Sequence, residues 1–342
     1  MVTTSIDPET EQLRGKDAKR AGRVASAAQR KLLSILLSLG KRLLSGVLVL
    51  WGAATVTFFA LHIPRGDPAL MLLGGIEANP TPEVLAQVGS DWGFDQPVVV
   101  QYLGYLSRLT TGDLGVSYQQ RMSVVDAISV QLTPTIQLAF TAAAVSILLA
   151  LVVSLATAKR GPLITGITSN TCIFLASVPG FVIGILLLFL FAAIIPIFPS
   201  SGTDGISRLV LPVLTLALSI SATLIQVLRT ELDEVLEQPF ILTARTRGLS
   251  LASAKLKHAL RHALVPIATM SGFIIANLLG GAVLVETVFS RQGIGRVALE
   301  AVQSQDVPLV IGVVLFAAFV FVIVNFIVDI LYTVIDPRLE TT

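Results

Sequence analysis

The sequence predicts an all-α integral membrane protein with six transmembrane helices, and two observations carry this prediction. Hydrophobic residues make up 54% of the 342-residue chain and charged residues only 13%, whereas soluble domains contain about 25% charged residues. In addition, six stretches without Lys, Arg, Asp or Glu are long enough to cross a bilayer, which takes about 20 apolar residues. These stretches are 43–64, 127–158, 161–203, 209–228, 263–285 and 307–328.

The distribution of positive charge predicts that both termini lie in the cytosol. Residues 1–42 contain nine of the 24 Lys and Arg residues and no aromatic residue, which is typical of a basic cytosolic tail. The third apolar stretch, 161–203, is long enough for two crossings around Pro179-Gly180. A seventh span would move several basic residues of the second half to the outside, so we predict six spans and a kink at Pro179-Gly180.

A long acidic loop follows the first span. Residues 65–126 contain seven Asp and Glu against three Lys and Arg, and we expect them outside the cytosol. Ser123 and Asp126 have the spacing of a capping box for a helix leading to Pro134. An earlier helix that ends at Gly112 is predicted from four residues at helical spacing: Val98, Tyr102, Tyr105 and Leu109.

A basic stretch from Phe240 to Pro266 separates the fourth and fifth spans and carries five Lys or Arg and two His. Pro239 suits a helix start, Gly248 a left-handed helix stop, and Ser250 the cap of a second helix. The second helix is expected to place Lys255, His258 and His262 toward water or acidic groups. Its apolar face is predicted from residues spaced three or four apart: Leu249, Ala252, Leu256, Leu260 and Ala263.

Four polar residues within or beside the apolar spans are candidates for the lining of a translocation pathway, because polar groups in spans are costly and tend to face a cavity or the bundle interior. They are Gln137, Asn277, Glu286 and Asn325. The alternative role for each is a hydrogen bond between helices, which nearby glycines favour through close packing.

The sequence argues against several other classes of protein, and a proton-coupled secondary transporter is kept as the less favoured alternative. The chain has a single cysteine, Cys172, and no phosphate-loop, nucleophile-elbow or H-E-x-x-H motif, so neither ATP hydrolysis nor familiar hydrolase chemistry is encoded. His258 and His262 have metal-ligand spacing, but neighbouring Lys and Arg would repel a cation. A net charge of +2 gives no indication of nucleic-acid binding. A proton-coupled secondary transporter would need an ionisable relay at mid-bilayer, whereas Glu286 is peripheral.

The basic stretch, with four further motifs, resembles the permease subunits of ABC importers for dipeptides, oligopeptides and nickel, specifically the B-type subunit of dipeptide permeases. T-A-R-T-R-G-L-S followed by H-A-L-R-H-A-L-V-P is similar to the EAA loop of that family, in which Ala244 and Gly248 match and Leu242 replaces the Glu. The other motifs are D-Q-P, G-D-L-G-x-S, G-G-A-V-L-V-E-T-V-F-S-x-x-G-I-G-R and D-I-L-Y-x-x-I-D-P-R. The likeness extends over residues 43–338.

The resemblance implies a type I ABC importer permease fold in a bacterial cell membrane, with no catalytic residue, metal or cofactor in this chain. The implied partners are a second homologous permease, two ATPase subunits that hold ATP and Mg²⁺, and an extracytoplasmic substrate-binding protein. The implied cargo is a dipeptide or oligopeptide, with nickel or another small solute as the alternative. The expected divisions are a tail (1–42), the first span and outer loop (43–132), a permease core (133–335) with a coupling loop (231–262), and a cytosolic C-terminal tail (336–342).

The resemblance also implies roles for individual residues. The coupling loop would dock into a cleft of the ATPase, with leucines as apolar anchors, Gly248 as the turn, and Arg and Lys in polar contacts. Its candidate residues are Thr243, Ala244, Arg245, Arg247, Gly248, Leu249, Lys255, Leu256 and Leu260. Candidates for a loop that faces the binding protein are Arg291, Gly293, Gly295 and Arg296.

Overall fold

The structure is a computed structural model that describes residues 40–60, 69–70, 73, 79–91, 93–203 and 205–335. Within its helices, the side chains of 264–266, 268–269, 271, 273, 275–276, 279 and 328–335 are outside this description. Most of the predicted N-terminal tail and the whole C-terminal tail, 336–342, also lie outside the described residues. All contacts discussed below belong to the unit that runs from Ala53 to Thr342.

Helices account for nearly all the regular structure of the described residues. The one β feature among them is an isolated bridge between Val116 and Ser123. Two π-helical turns, Phe189–Ile194 and Lys255–Ala259, interrupt the α-helical pattern. The α-helices are α1 (Gly40–Ala60), α2 (Pro82–Asp91), α3 (Val98–Thr110), α4 (Val124–Thr157), α5 (Pro162–Ser177), α6 (Gly180–Leu188), α7 (Ile206–Leu236), α8 (Pro239–Thr246), α9 (Leu251–Ala254), α10 (Leu260–Thr269), α11 (Ser271–Val288), α12 (Ile294–Gln303) and α13 (Val307–Ile335).

Four helices in the described part of the chain are long and apolar enough to cross a membrane: α1, α4, α7 and the 307–327 portion of α13. Helices α5 and α6 together form a further candidate, with a bend of 99° between them. Helix α11 covers most of the predicted fifth stretch. The apolar stretches of the sequence therefore correspond to helices in the structure.

The break between α5 and α6 lies where the sequence predicted a kink. Val178 adopts an extended conformation with ψ 127°, and Pro179, which has no amide hydrogen to donate, precedes the first residue of α6. Pro134 and Pro212, in contrast, lie inside α4 and α7. The helix predicted to lead from Ser123 to Pro134 thus continues through that proline to Thr157.

Helix α7 is the central element of the bundle, because it packs against α4, α5, α6, α10 and α11. Its most extensive contact is with α4, where every fourth residue is buried: Leu138, Ala142, Ser146, Ala150 and Ser154. Small side chains at this spacing let two helices approach closely within a membrane. The Ser154 hydroxyl donates a hydrogen bond to the Ile225 carbonyl of α7 at 3.3 Å, so a polar contact secures the packed pair.

The acidic loop that follows α1 packs on neighbouring helices through its aromatic residues. Tyr105 is buried, and its ring stacks on Phe58 with 5.4 Å between centroids. The hydroxyl groups of Tyr102 and Thr55 are 2.6 Å apart. The predicted cap at Ser123 is also present, because its hydroxyl accepts a hydrogen bond from the Asp126 amide at 3.0 Å and donates to the Asp126 carboxylate at 2.6 Å.

Candidate coupling and translocation sites

The basic stretch folds as two short helical pieces around a tight turn, and residues 239–263 are called the basic segment from here on. Helix α8 begins at Pro239, as predicted, and the chain reverses at Gly248, whose φ is +93°. This conformation favours glycine. The predicted cap is also present, since the Ser250 hydroxyl accepts a hydrogen bond from the Ser253 amide at 3.2 Å. Local sequence signals therefore set the ends of both pieces.

The buried side of the second piece differs from the predicted one. Leu256 is 58% exposed and Ala252 is also exposed, whereas Lys255 is only 7% exposed. The π-helical turn Lys255–Ala259 is not the cause, because Ala252 precedes it and Lys255 is its first residue. The buried side is the one that contacts the end of α4, where Lys255 finds its hydrogen-bond acceptors. Lys255, Ala259 and Ala263 are spaced four apart and share the buried face, which is not the face predicted from the leucines. The residues buried in this piece are Ala254, Lys255, Ala259 and Ala263.

Lys255 lies on the buried side of the segment and not on the water-facing side, which corrects the expectation for this residue. It binds the end of α4 through two hydrogen bonds, which are called the Lys255 clamp below. Its Nζ donates hydrogen bonds to the carbonyl oxygens of Leu155, at 2.9 Å, and Ala158, at 2.5 Å. These carbonyls lie where a helix has no amide partners left, and the negative end of the helix dipole favours a cation there. Burial lowers the pKa of Lys255, the charge of Arg160 lowers it further, and Asp233 opposes both effects.

Two further contacts join the ends of α4 and α7 at the same place. The Lys159 amide donates to Asp233 Oδ1 at 2.8 Å, and the Lys159 ammonium forms an ion pair with Glu237. The hydrogen bond with Lys159 lowers the pKa of the exposed Glu237 carboxyl. Apolar packing lies beneath these contacts and consists of Ala158, Leu228, Leu232, Ala259 and Ala263. The basic segment is therefore anchored on both helices.

The opposite side of the basic segment is exposed and partly apolar. Phe240, Leu242 and Leu256 have 46%, 64% and 58% of their surfaces exposed. Arg245 and Arg247 are exposed nearby. Leu260 is half-buried. A shallow groove between the two pieces is lined by Phe240, Thr243, Ala244, Arg247, Gly248, Leu249 and His258.

Polar groups near the far end of α11 form a buried cluster around Glu286. The Thr135 hydroxyl donates to Glu286 Oε1 at 2.7 Å, and the Arg296 amide donates to Oε2 at 3.1 Å. Thr135 also accepts a hydrogen bond from the Ile294 amide at 2.9 Å. This carboxylate therefore links α4 to the start of α12, which supports the structural alternative for Glu286.

The two glycines of the G-I-G-R motif allow the backbone to approach that carboxylate. A Cβ on Gly293 would lie 2.1 Å from Glu286 Oε1. A Cβ on Gly295 would lie 2.5 Å from Val283 Cα. Both glycines are buried, so neither belongs to an exposed surface for a binding protein.

Arg291 is fully buried, and its side chain binds groups of its own chain. It donates to the Thr203 carbonyl at 3.0 Å and to Gln137 Oε1 at 3.1 Å. The structure thus joins Gln137 of α4 to the turn after α11, and it corrects the expectation that Arg291 faces a partner. Of the four residues predicted to face the binding protein, Arg296 keeps an accessible side chain, which forms an exposed ion pair with Glu300 at 2.7 Å.

The two asparagine candidates lie apart from this cluster. Asn325 Nδ2 donates to the Phe321 carbonyl of its own helix at 3.0 Å. Its Oδ1 is 3.7 Å from the position that a Cβ would occupy at Gly272 on α11. Asn277 is exposed on α11. These two residues remain available as pathway candidates, whereas Gln137 and Glu286 bind groups inside the bundle.

Asp306 is a buried residue that the sequence patterns did not identify. Its Oδ2 accepts hydrogen bonds from the Ser117 hydroxyl at 2.5 Å and the Gln119 amide at 3.1 Å. Its Oδ1 accepts from the Leu309 amide at 3.3 Å, so it also caps α13. Burial, with a smaller contribution from Asp306, raises the pKa of Tyr118 to about 12. The available signal was an Asp two residues before a proline at the start of an apolar span.

The long apolar helices are typical of a protein embedded in a membrane. Residues 146–341 match the family described as the binding-protein-dependent transport system inner membrane component, and residues 35–139 match the model for its N-terminal part. The chain belongs to this family, which comprises permease subunits of ABC importers. The resemblance inferred from the sequence motifs is confirmed.

Relatives align over nearly their whole length. A putative peptide transport system permease protein of Brucella abortus (strain 2308) is 36% identical over 310 residues, which cover 88% of this chain and 98% of the relative. A similarly named protein of Brucella suis biovar 1 is 36% identical over 309 residues, with the same coverage. The glutathione transport system permease protein GsiC of Salmonella choleraesuis is 33% identical over 303 residues, which cover 88% of this chain and 97% of the relative.

Proposed function

We propose that this chain forms one half of the translocation pathway of an ATP-driven importer for dipeptides or oligopeptides. The names of similar proteins, which are peptide and glutathione transport permeases, support this class of cargo. A second homologous permease completes the pathway, and a substrate-binding protein delivers the peptide from outside. Two ATPase subunits bind ATP and Mg²⁺ and supply the energy.

The exposed side of the basic segment is the observation that carries this proposal. Exposed apolar residues beside polar ones mark a contact surface for another protein, and here they are Phe240, Leu242 and Leu256. Arg245 and Arg247 keep the same surface out of the hydrocarbon of the membrane. The segment therefore fits a docking element for an ATPase, with Thr243, Ala244, Gly248 and Leu249 in its groove.

The buried side of the segment supports a mechanism of coupling. When the ATPase pair closes on ATP, it displaces the segment, and the Lys255 clamp transmits this movement to α4. The bundle then shifts from an inward-open to an outward-open state. ATP biases this equilibrium only because the closed ATPase pair binds the two states with different free energies. In this mechanism Lys255 positions the segment, whereas the ATPase contacts come from the exposed residues.

The proposed topology has six spans in the cell membrane and both termini in the cytosol. Helices α5 and α6 form the third span, and the basic segment lies on the cytosolic side with Lys159 and Arg160, as the positive-inside rule favours. The divisions of the chain are those set by the sequence: 1–42, 43–132, 133–335 and 336–342. The outer end then includes α12 and Arg296, which we retain as the residue available to a binding protein.

The coupling step can be tested by replacing Gly248 in the complete complex, reconstituted in liposomes with its ATPases and binding protein. Space is not limiting at this residue, because a Cβ would meet nothing within 4 Å, so only the backbone conformation penalises a side chain. We expect Gly248→Val to strain the turn by about 1–2 kcal/mol and to lower peptide uptake about tenfold, while ATP hydrolysis continues.

The matched control is Gly248→Asn, because asparagine adopts positive φ more readily than a β-branched residue. It should retain most of the uptake. Normal uptake by the Val variant would contradict the coupling role of this turn. Transport of peptide by the purified chain without any ATPase would instead indicate a secondary transporter, and uptake of nickel in place of peptide would change the cargo but leave the coupling mechanism intact.

A further inference from the structure

A polar cavity lies between α5 and α7, next to the anchor of the basic segment. Arg229 is 8% exposed and borders this cavity, which is called the Arg229 cavity below. Hydroxyl and amide groups line both of its walls, and Cys172 and Ile225 add apolar surface. The full lining is Thr165, Thr168, Ser169, Cys172, Ile225, Gln226, Arg229, Thr230 and Asp233.

Arg229 retains hydrogen-bonding capacity inside this cavity. One terminal nitrogen donates to the Thr165 carbonyl at 3.2 Å, whereas Nε is buried and has no hydrogen-bond acceptor among the described residues. The Asp233 carboxylate is 3.9 Å from Nε, which is beyond hydrogen-bonding distance. Because a buried guanidinium donor without an acceptor is costly, this site favours an additional acceptor.

The cavity wall carries one cation, Arg229, and one carboxylate, Asp233, which forms a long ion pair with it. Asp233 is partly engaged elsewhere, because its Oδ1 accepts a hydrogen bond from the Lys159 amide. The Arg229 charge acts on Cys172 at the opposite wall. Serine and threonine hydroxyls can rotate to donate hydrogen bonds, so they would complete the coordination of a carboxylate.

We propose that the Arg229 cavity is an exit site that binds the α-carboxylate of the transported peptide. This inference rests on the proposed function and names the chemical group that the pathway recognises. Every peptide with a free C-terminus carries this carboxylate, so the site recognises cargo independently of side chains. The nearby Asp233 weakens the attraction, which suits a site on a pathway, since the cargo must also leave.

The single cysteine of the chain gives a direct test, because Cys172 lines the cavity. The assembled complex, prepared with partner subunits whose cysteines are replaced by serine, is placed in nanodiscs of phosphatidylcholine. It is treated with sulfonatoethyl and trimethylammonioethyl thiosulfonates, which are similar in size and opposite in charge. We expect the anionic reagent to modify Cys172 about tenfold faster, because the charge that acts on this thiol is that of Arg229 and a positive potential concentrates anions. A T168C variant provides a second thiol on the same wall.

Variants assign this preference to Arg229. Arg229→Gln should abolish the preference for the anionic reagent, and Arg229→Lys should retain part of it. The matched control, Arg160→Gln, removes one exposed positive charge outside the cavity wall and should leave the preference intact. Equal rates for the two reagents in the wild-type complex, or equal effects of Arg229→Gln and Arg160→Gln, would overturn the proposal. So would a failure of both thiols to react.

Protection experiments identify the occupant. Dialanine should slow the modification of Cys172, whereas dialanine amide, which lacks the carboxylate, should not. Equal protection by both would refute the carboxylate site, and protection by phosphatidylglycerol alone would assign the cavity to an anionic lipid. These measurements are independent of transport. A complex that prefers the anionic reagent but imports no peptide would refute the proposed function and leave only an anion site.

Discussion

Replacing Lys255 by methionine tests whether the basic segment is held on the bundle by a charged clamp. Methionine preserves most of the length of the side chain and removes the ammonium group that donates to the carbonyls of Leu155 and Ala158 at 2.9 and 2.5 Å. The apolar packing beneath the segment, formed by Ala259 and Ala263 among others, stays in place. The substitution therefore removes the clamp while keeping the packed surface.

The size of the effect follows from the contacts. A hydrogen bond from a charged donor contributes about 1.5–3 kcal/mol, so two such bonds set an upper limit of about 6 kcal/mol. Burial of the ammonium group opposes this gain, and it is also the main cause of the lowered pKa of Lys255. Water can reach the freed carbonyls when the segment opens. We expect a net loss of about 2 kcal/mol, or about a 30-fold increase in local opening.

Hydrogen exchange with mass spectrometry measures this opening directly. Amides of α9, the π turn and α10 should exchange about 30-fold faster in Lys255→Met, while those in the middle of α7 remain unchanged. Lys257→Met is the matched control, because Lys257 is exposed two residues away and should leave exchange unaltered. If both variants exchange at the same rate, Lys255 does not hold the segment.

Two further substitutions test the polar clusters. Gly293→Ala brings a Cβ to 2.1 Å from Glu286 Oε1 and should lower the free energy of unfolding of the solubilised protein by about 1–3 kcal/mol, measured by thermal denaturation. Gly280→Ala is its control and should not lower it, because a Cβ there meets nothing within 4 Å. Asp306→Asn places an amide donor against the donors of Ser117 and Gln119, so exchange in the 113–123 loop should rise. Glu300→Gln is the control for Asp306→Asn, because it breaks an exposed ion pair and should lower the free energy of unfolding by less than about 1 kcal/mol. An equal rise of exchange in both variants would show that Asp306 does not hold the 113–123 loop.

The features that the sequence predicted correctly depend on short-range chemistry. The caps at Ser123 and Ser250, the turn at Gly248 and the break before Gly180 each follow from a residue and its immediate neighbours. The apolar stretches likewise predicted the long helices, because hydrophobic length is a local property of the chain. Such signals need no knowledge of which helices pack together.

The burial of the basic residues depends on information that a one-dimensional pattern does not contain. The predicted face for Lys255 assumed that the leucines would be the buried residues, whereas the carbonyls of Leu155 and Ala158 bind the Lys255 ammonium on the buried side. The partners of Arg291 and Glu286 come from α4, with sequence separations of 154 and 151 residues. The residue type alone does not show whether a charged side chain is buried or exposed, so only the fold distinguishes the two cases.

The two anchors of the basic segment determine which part of the bundle can move when the segment is displaced. Lys255 binds the end of α4, and Asp233 of α7 accepts a hydrogen bond from the amide of Lys159, just after α4. A displacement of the basic segment therefore acts on both helices together. Their stripe of small residues keeps them packed along their length, as in rigid-body movements. Helix α5 packs on α7 less extensively than α4 does, and the hydrogen bond from Arg229 to the Thr165 carbonyl lies at this contact. We therefore expect the α5–α7 contact to change most between states, which would open and close the Arg229 cavity.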